Sequence, residues 1–262
     1  MTTFHADPTP YAEVNSLLRT LFTHVQQILQ ERLVGFYLYG SLALGDFDPP
    51  SSDVDFLAVT TEELRGEVVE ELRSMHAHLA ASGFAYATHV EGSYISRAAL
   101  RRYDPQQAEH PTIGVDWEFG VAQHGINWVI QRWILREHGV VVWGPPPDTL
   151  IDPISADELR QSVCALLPQW QTAIAQVEWL RSRYYQALAV LTLCRMLYSL
   201  QHCTIVSKPV AAAWAIEALD PQWRSIIERA VIWRGQHEKD DLTETLAFLH
   251  YAIGQGMDLC KQ

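Results

Sequence analysis

The sequence predicts an α+β fold in two parts, a domain of strands and helices over residues 1–150 and an all-helical domain over 151–262. Three observations carry this. Short β-prone apolar runs alternate with amphipathic helical stretches as far as residue 143. The segment GPPPDTLIDPIS (144–155) then places four prolines in twelve residues, which neither a helix nor a central strand can continue through. Beyond it every periodic stretch has helical spacing.

Residues 11–33 carry apolar side chains three and four apart and predict an amphipathic helix. VGFYLY (34–39) is a short aromatic strand, and VDFLAV (54–59) is a second strand after the turn-forming DPPSS. A helix is expected over 62–82, with His76 and His78 on its solvated surface. A third strand is expected over 84–95, with a bulge at Gly92. Another extended piece falls within Thr112–Val121, followed by a helix over 124–138 and the strand GVVVW (139–143). In the second half, 155–180, 182–202, 208–219, 221–235 and 240–260 read as helices. Ser155-Ala-Asp-Glu and Ser207-Lys-Pro are the expected starts of two of them.

Composition limits the function. The 262 residues are 48% hydrophobic and 19% charged, as in a packed globular protein, and no apolar run is long enough to span a bilayer. The N-terminus lacks the basic and apolar regions of a signal peptide. The four cysteines, Cys164, Cys194, Cys203 and Cys260, form no CxxC pair, so a cytoplasmic protein with buried, reduced thiols is expected. A net charge of −12 argues against a nucleic-acid footprint and suits a small cationic substrate, although solubility alone also explains it. No HExxH, zinc pattern, GxGxxG or Walker loop occurs.

Chemistry concentrates in YGSLALGDFDPPSSDVDFLAV (39–59). Asp53 and Asp55 are one residue apart at the opening of an apolar strand, so their side chains project from one face, roughly 6.5–7 Å apart along the chain. Two close carboxylates repel unless a cation lies between them, and carboxylate oxygen is the hard ligand that Mg²⁺ prefers. Gly40-Ser41 lies twelve residues upstream of Asp53, at the end of the preceding strand. Glycine lets a phosphate approach the backbone there, and the serine hydroxyl can hold its oxygens. Together these parts describe a site for a metal–nucleoside triphosphate, with Mg²⁺ as the metal. A solvated strand edge is the alternative for the aspartates, but Val54, Phe56, Leu57 and Val59 make the strand too apolar for it. Asp46 and Asp48 read as turn formers.

This stretch resembles the GSx(10–11)DxD signature of the polymerase-β-type nucleotidyltransferase superfamily. More narrowly, VLTLCRMLYSL (190–200) followed by IVSKPVAAAWAIEAL (205–219) resembles the streptomycin/spectinomycin (3″/9) adenylyltransferases, with a match running with gaps over about 33–251. The resemblance implies a polymerase-β-like mixed sheet with helices, followed by a helical bundle. It also implies transfer of AMP from ATP to a hydroxyl of an aminoglycoside or aminocyclitol antibiotic by a monomer. In that family's pattern Ser41, beside Gly40, is the phosphate-binding serine, and Asp53 and Asp55 are the Mg²⁺-binding pair. Glu91 is the third carboxylate and the general base, with Asp116 and Glu118 as rivals. Arg195 and Lys208 are cations for the triphosphate, against the alternatives of a salt bridge within the bundle and a solvated helix start. Trp117 is the counterpart of an aromatic side chain that grips the acceptor.

The acceptor half departs from the pattern. The aspartate expected ten residues before Arg195 is Tyr185 here, flanked by Arg181 and Arg183, leaving Glu178 and Trp179 as substitutes. An arginine pair would repel a cationic drug. Two readings therefore stand beside antibiotic modification. One is nucleotidyl transfer to a protein side chain or other hydroxylated metabolite, and the other is nucleotide binding without turnover.

Overall fold

The computed structural model describes residues 5, 7–114 and 117–262, with only the backbone of residue 117. The chain divides into two compact units, one of residues 1–47 and 52–153 and the other of residues 48–51 and 154–262.

In the first unit the elements run α1 (Ala12–Leu29), β1 (Leu33–Leu38), α2 (Gly40–Ala43), β2 (Val54–Thr60), α3 (Glu67–Ala80), β3 (Val90–Ser96), α4 (Arg97–Arg101), β4 (Glu109–Gly114), β5 (Trp117–Gln123), α5 (Asn127–His138) and β6 (Val140–Trp143). The strands form one sheet in the order β5-β4-β3-β2-β1-β6. β2 pairs parallel with β3, and the other neighbours are antiparallel. The predicted mixed sheet is thus present. Helix α1 buries Leu17, Leu18, Leu21 and Val25, and α3 buries Val69, Leu72 and Leu79, in one core with Phe36, Phe56 and Tyr94 of the sheet.

Two local expectations change. The third strand begins at Val90, because residues 84–89 satisfy their amides in a turn: Ala87 N–H donates to the Phe84 carbonyl (3.2 Å) and His89 N–H to that of Tyr86 (2.9 Å). Tyr86 holds φ at 64° in that turn. Gly92 is no bulge, since it stays in register with Phe56. It is glycine because a Cβ there would stand 2.3 Å from the Phe56 ring and 2.5 Å from its carbonyl oxygen.

His76 is buried instead of solvated. Its Nε2 shares a 2.8 Å hydrogen bond with the Tyr94 hydroxyl, and its ring stacks against Phe119. Burial lowers its pKa to about 3. A similar environment lowers His124 to about 2, through burial first and then through His110 and Arg132. These folded values lie below the unfolded value near 6.5, so below that pH the unfolded chain binds protons that the native one does not. Stability is therefore complete above about pH 6.5 and falls as pH drops toward the folded values, by about 1.4 kcal/mol per pH unit for each ring. The thermal midpoint is expected to fall steadily from pH 6.5 to 5, before most carboxylates titrate. A flat profile across that window contradicts the buried-neutral assignment.

The second unit is α6 (Ala156–Ile174), α7 (Arg183–His202), α8 (Lys208–Ala218), α9 (Arg224–Ile232) and α10 (Thr243–Leu259), all helical as expected. Ser155 and Glu158 cap α6 reciprocally, and Ser207 caps α8 with Pro209 in its first turn. Helix α7 packs against the other four helices. The thiols depart from expectation: Cys164 on α6 and Cys260 at the end of α10 form a disulfide, leaving Cys194 and Cys203 as thiols. No described helix is long and apolar enough to cross a membrane.

Candidate active site

Strand β1 ends where Gly40 and Ser41 open the short α2, while β2 and β3 run side by side. Val54 and Phe56 are buried, whereas Asp53 and Asp55 are only half-buried, so the two carboxylates share the face turned away from the core. The parallel register sets Asp55 opposite Glu91, which is exposed between buried Val90 and Gly92. Three carboxylates thus stand at one end of two adjacent strands.

Gly40 closes this arrangement. Its φ is +61°, and a Cβ there would stand 1.9 Å from Asp55 Oδ2. Glycine is needed both for the left-handed turn and for the carboxylate lying against its backbone. Tyr39 N–H donates to the Asp55 carbonyl (3.2 Å), and Asp46 N–H to that of Ser41 (2.9 Å). The Ser41 hydroxyl is buried without a hydrogen-bond partner among the described residues, an arrangement that normally needs explaining by a ligand or water. The Tyr39 phenol is buried, and burial, then Asp55 and Glu91, raise its pKa well above the usual value. It stays a neutral donor beside the carboxylates. Gly40→Ala is expected to displace Asp55 and lower kcat about 10²-fold, the scale of an ångström's misplacement, with modest loss of stability. Steady-state kinetics with a melting curve check it.

Donor type fits Mg²⁺: the Asp55 carboxylate lies against the glycine turn at Gly40, and Asp53 shares its face. Among the described residues, no group of three or more His, Cys, Asp or Glu side chains could hold a metal ion. A divalent ion here would therefore complete its shell with phosphate oxygens, the usual arrangement for Mg²⁺.

The rivals of Glu91 separate from it. Glu118 is exposed on the edge strand β5, with β4 between it and β3. Asp116 and the side chain of Trp117 lie outside the described residues.

In the helical unit, Arg195 is half-buried on α7, on a partly exposed stripe with Tyr185, Leu188, Thr192 and Tyr198. Their spacings of three and four put them on one helical face. Tyr185 and Arg195 lie about 15 Å apart along it at the helical rise. Lys208 is the first residue of α8, half-buried beside the Ser207 cap.

The acceptor positions gather around the start of α7. Trp179 packs between Trp170 (6.2 Å between ring centroids) and Tyr185 (5.9 Å), and its Nε1–H donates to the Ala173 carbonyl (2.9 Å). Tyr184 stacks on His237 at 5.0 Å. The two arginines are each compensated. Arg181 makes a two-pronged pair with Glu178 (2.8 and 2.9 Å). Arg183 pairs with Asp240 (2.8 Å) and lies over the Trp233 ring. The arginine hydrogen bond holds each of these carboxyls below its ordinary range. The expected repulsion by a bare arginine pair is thus absent, but Glu178 is engaged with Arg181. Asp240 escaped the sequence reading because it lies 57 residues from Arg183. The only trace was the acidic Asp240-Asp241 step before α10.

The glycine turn, the carboxylates of the mixed sheet and the helical bundle define a nucleotidyltransferase. Residues 18–94 match the nucleotidyltransferase domain family, and residues 149–254 match the family described as the aminoglycoside adenylyltransferase C-terminal domain. An aminoglycoside (3″)(9) adenylyltransferase of Shigella flexneri is 28% identical, over 93% of this chain and 95% of its own. A spectinomycin 9-adenylyltransferase of Campylobacter jejuni is 24% identical over 78% and 79% of the two chains. Among solved structures, a spectinomycin adenyltransferase from Enterococcus faecialis with ATP and spectinomycin has the same fold. Its TM-score is 0.72 at 17% identity, covering 92% of this chain and 98% of its own. The chain thus joins a nucleotidyltransferase domain to a domain of the aminoglycoside adenylyltransferase C-terminal type, and it is an adenylyltransferase.

Proposed function

We propose that the protein transfers AMP from ATP to a hydroxyl of an aminoglycoside or aminocyclitol antibiotic, with Mg²⁺, releasing pyrophosphate. The observation that carries this reading is the glycine turn whose Gly40 lies against Asp55, itself in register with Glu91, with the next residue, Ser41, burying a hydroxyl that has no hydrogen-bond partner among the described residues. Gly40 and Ser41 receive phosphate oxygens. Asp53 and Asp55 would hold the divalent ion together with phosphate oxygens, and the ion would supply charge neutralisation at the phosphates; Glu91 stands opposite Asp55 as the third carboxylate. Glu91 takes the proton of the acceptor hydroxyl. The acceptor oxygen then bonds to the α-phosphorus as the bond to the bridging oxygen breaks and pyrophosphate leaves. Arg195 and Lys208 neutralise the triphosphate. Trp117, Trp179 and Tyr185 provide aromatic surface for the acceptor, with Glu178 as its acidic neighbour. The activities of the relatives support an antibiotic acceptor, and Arg181 and Arg183, each paired with a carboxylate, present no bare cationic pair against it.

One observation favours a second reading of the acceptor. Glu178 and Asp240, carboxylates near the aromatic cluster, are both engaged with arginines, which suits a less basic hydroxylated acceptor. Incubation with ATP and Mg²⁺ and a panel of streptomycin, spectinomycin and uncharged polyols, followed by mass detection of an added AMP, tests both. Adenylylation of either drug is expected. Modification of the polyols alone selects the second reading, and no modification of any acceptor removes the proposed activity.

A further inference from the structure

We infer that His89 is a positioning residue for the Asp53 carboxylate and so tunes divalent-metal affinity; this rests on the reading that Asp53 holds metal. His89 Nδ1 stands 3.3 Å from Asp53 Oδ1. The contact continues the sheet. Val54 pairs with Val90 and Asp55 with Glu91, so one step earlier His89 faces Asp53. Val54 N–H donates to the His89 carbonyl (2.8 Å), which holds the two backbones together at that step. On one face, then, Asp53 just before β2 meets His89 just before β3, and Asp55 on β2 meets Glu91 on β3.

His89 is also fixed from the other side. Its N–H donates to the Tyr86 carbonyl (2.9 Å), closing the turn in which Tyr86 holds φ at 64°. A non-glycine residue in that region persists only where its surroundings hold it there. The Tyr86 ring packs edge-on against Phe47 (5.6 Å), and Phe47 against Tyr11 (4.7 Å), whose hydroxyl donates to the Phe47 carbonyl (3.0 Å). Phe47 lies in the segment joining Ser41 to Asp53, so one aromatic cluster anchors both this segment and the turn that presents His89. An Nδ1–H donated by the imidazole to Oδ1 would restrict rotation of the carboxylate. Such outer partners of a metal ligand typically change affinity 10–100-fold when removed. Sequence periodicity gave no hint of this pair, because Asp53 and His89 are 36 residues apart. The His89 side chain is 55% exposed, so its replacement does not open the core.

The test is Mn²⁺ binding to the protein saturated with a non-hydrolysable ATP analogue, followed by electron paramagnetic resonance, with melting curves as a folding control. His89→Leu removes the donor, His89→Asn keeps a donor at the Nδ1 position, and Asp53→Asn removes the ligand. We expect Mn²⁺ binding about tenfold weaker in His89→Leu. His89→Asn should restore near wild-type affinity, with kcat following the same order. Wild-type Mn²⁺ affinity in His89→Leu, alongside loss in Asp53→Asn, overturns the positioning role alone. Equal weakening in His89→Leu and His89→Asn also overturns it. Unchanged affinity in Asp53→Asn overturns the metal reading on which it rests.

Discussion

Asp55→Asn is expected to abolish adenylyl transfer, lowering kcat by at least about 10³-fold, or roughly 4 kcal/mol of transition-state stabilisation. Asp55 is held from two sides. It lies against the Gly40 backbone, where any Cβ would collide with it, and it stands in register with Glu91. Amide nitrogen is a donor where a divalent ion needs an anionic acceptor, so in the proposed role the substitution would remove charge and ligand together. The fold should survive. Like charges directly opposite on neighbouring strands are destabilising, so replacing one of the Asp55–Glu91 pair relieves repulsion in the metal-free protein. An unchanged or raised melting midpoint, with turnover lost, is the expected combination. Turnover within tenfold of wild type would remove Asp55 from the chemistry, and a collapsed midpoint would make it a structural residue.

The features legible in the sequence and those that were not differ in range. Helices α1 and α7 each carry their burial pattern in a local period, because a side chain's face depends on position along its own element. The alternation that places Asp53 and Asp55 on one face is equally local. The partner of each is not. That Asp55 faces Glu91 follows from the parallel register of β2 and β3, and that Arg183 meets Asp240 follows from the packing of a distant loop. His76 misled for the same reason: its polarity suggested solvent, but β5 brings Phe119 over it and β3 supplies Tyr94 as hydrogen-bond partner. The turn at 84–89 escaped because its aromatic residues favour strand locally, while its amides close on nearby carbonyls.

The helical unit should lose much of its stability when the Cys164–Cys260 bridge is removed. The bridge joins residues 96 apart in sequence, so nearly the whole unit lies within the loop it closes. In the chain-entropy account, cross-linking a loop of about 100 residues stabilises by up to about 4.7 kcal/mol, and measured values of 2–4 kcal/mol are typical. At several degrees per kcal/mol for a domain of this size, Cys260→Ser should lower the helical unit's midpoint by on the order of 10 °C. The native contacts reinforce this dependence. Arg160 on α6 donates to the carbonyls of Leu200 and Leu259, tying the same helices at the last residue of α10 before Cys260. Loss of the bridge therefore also loosens a half-buried guanidinium from its acceptors. Thiol counting supplies the independent check. In denaturant without reductant two thiols should react, Cys194 and Cys203, and four after reduction. In the native protein Cys203 should react first, since burial pushes the Cys194 thiol up to about 12 and seals it from reagent. Four reactive thiols before reduction would show that the bridge does not form. An unchanged midpoint in Cys260→Ser would show that helix packing and Arg160 suffice without it.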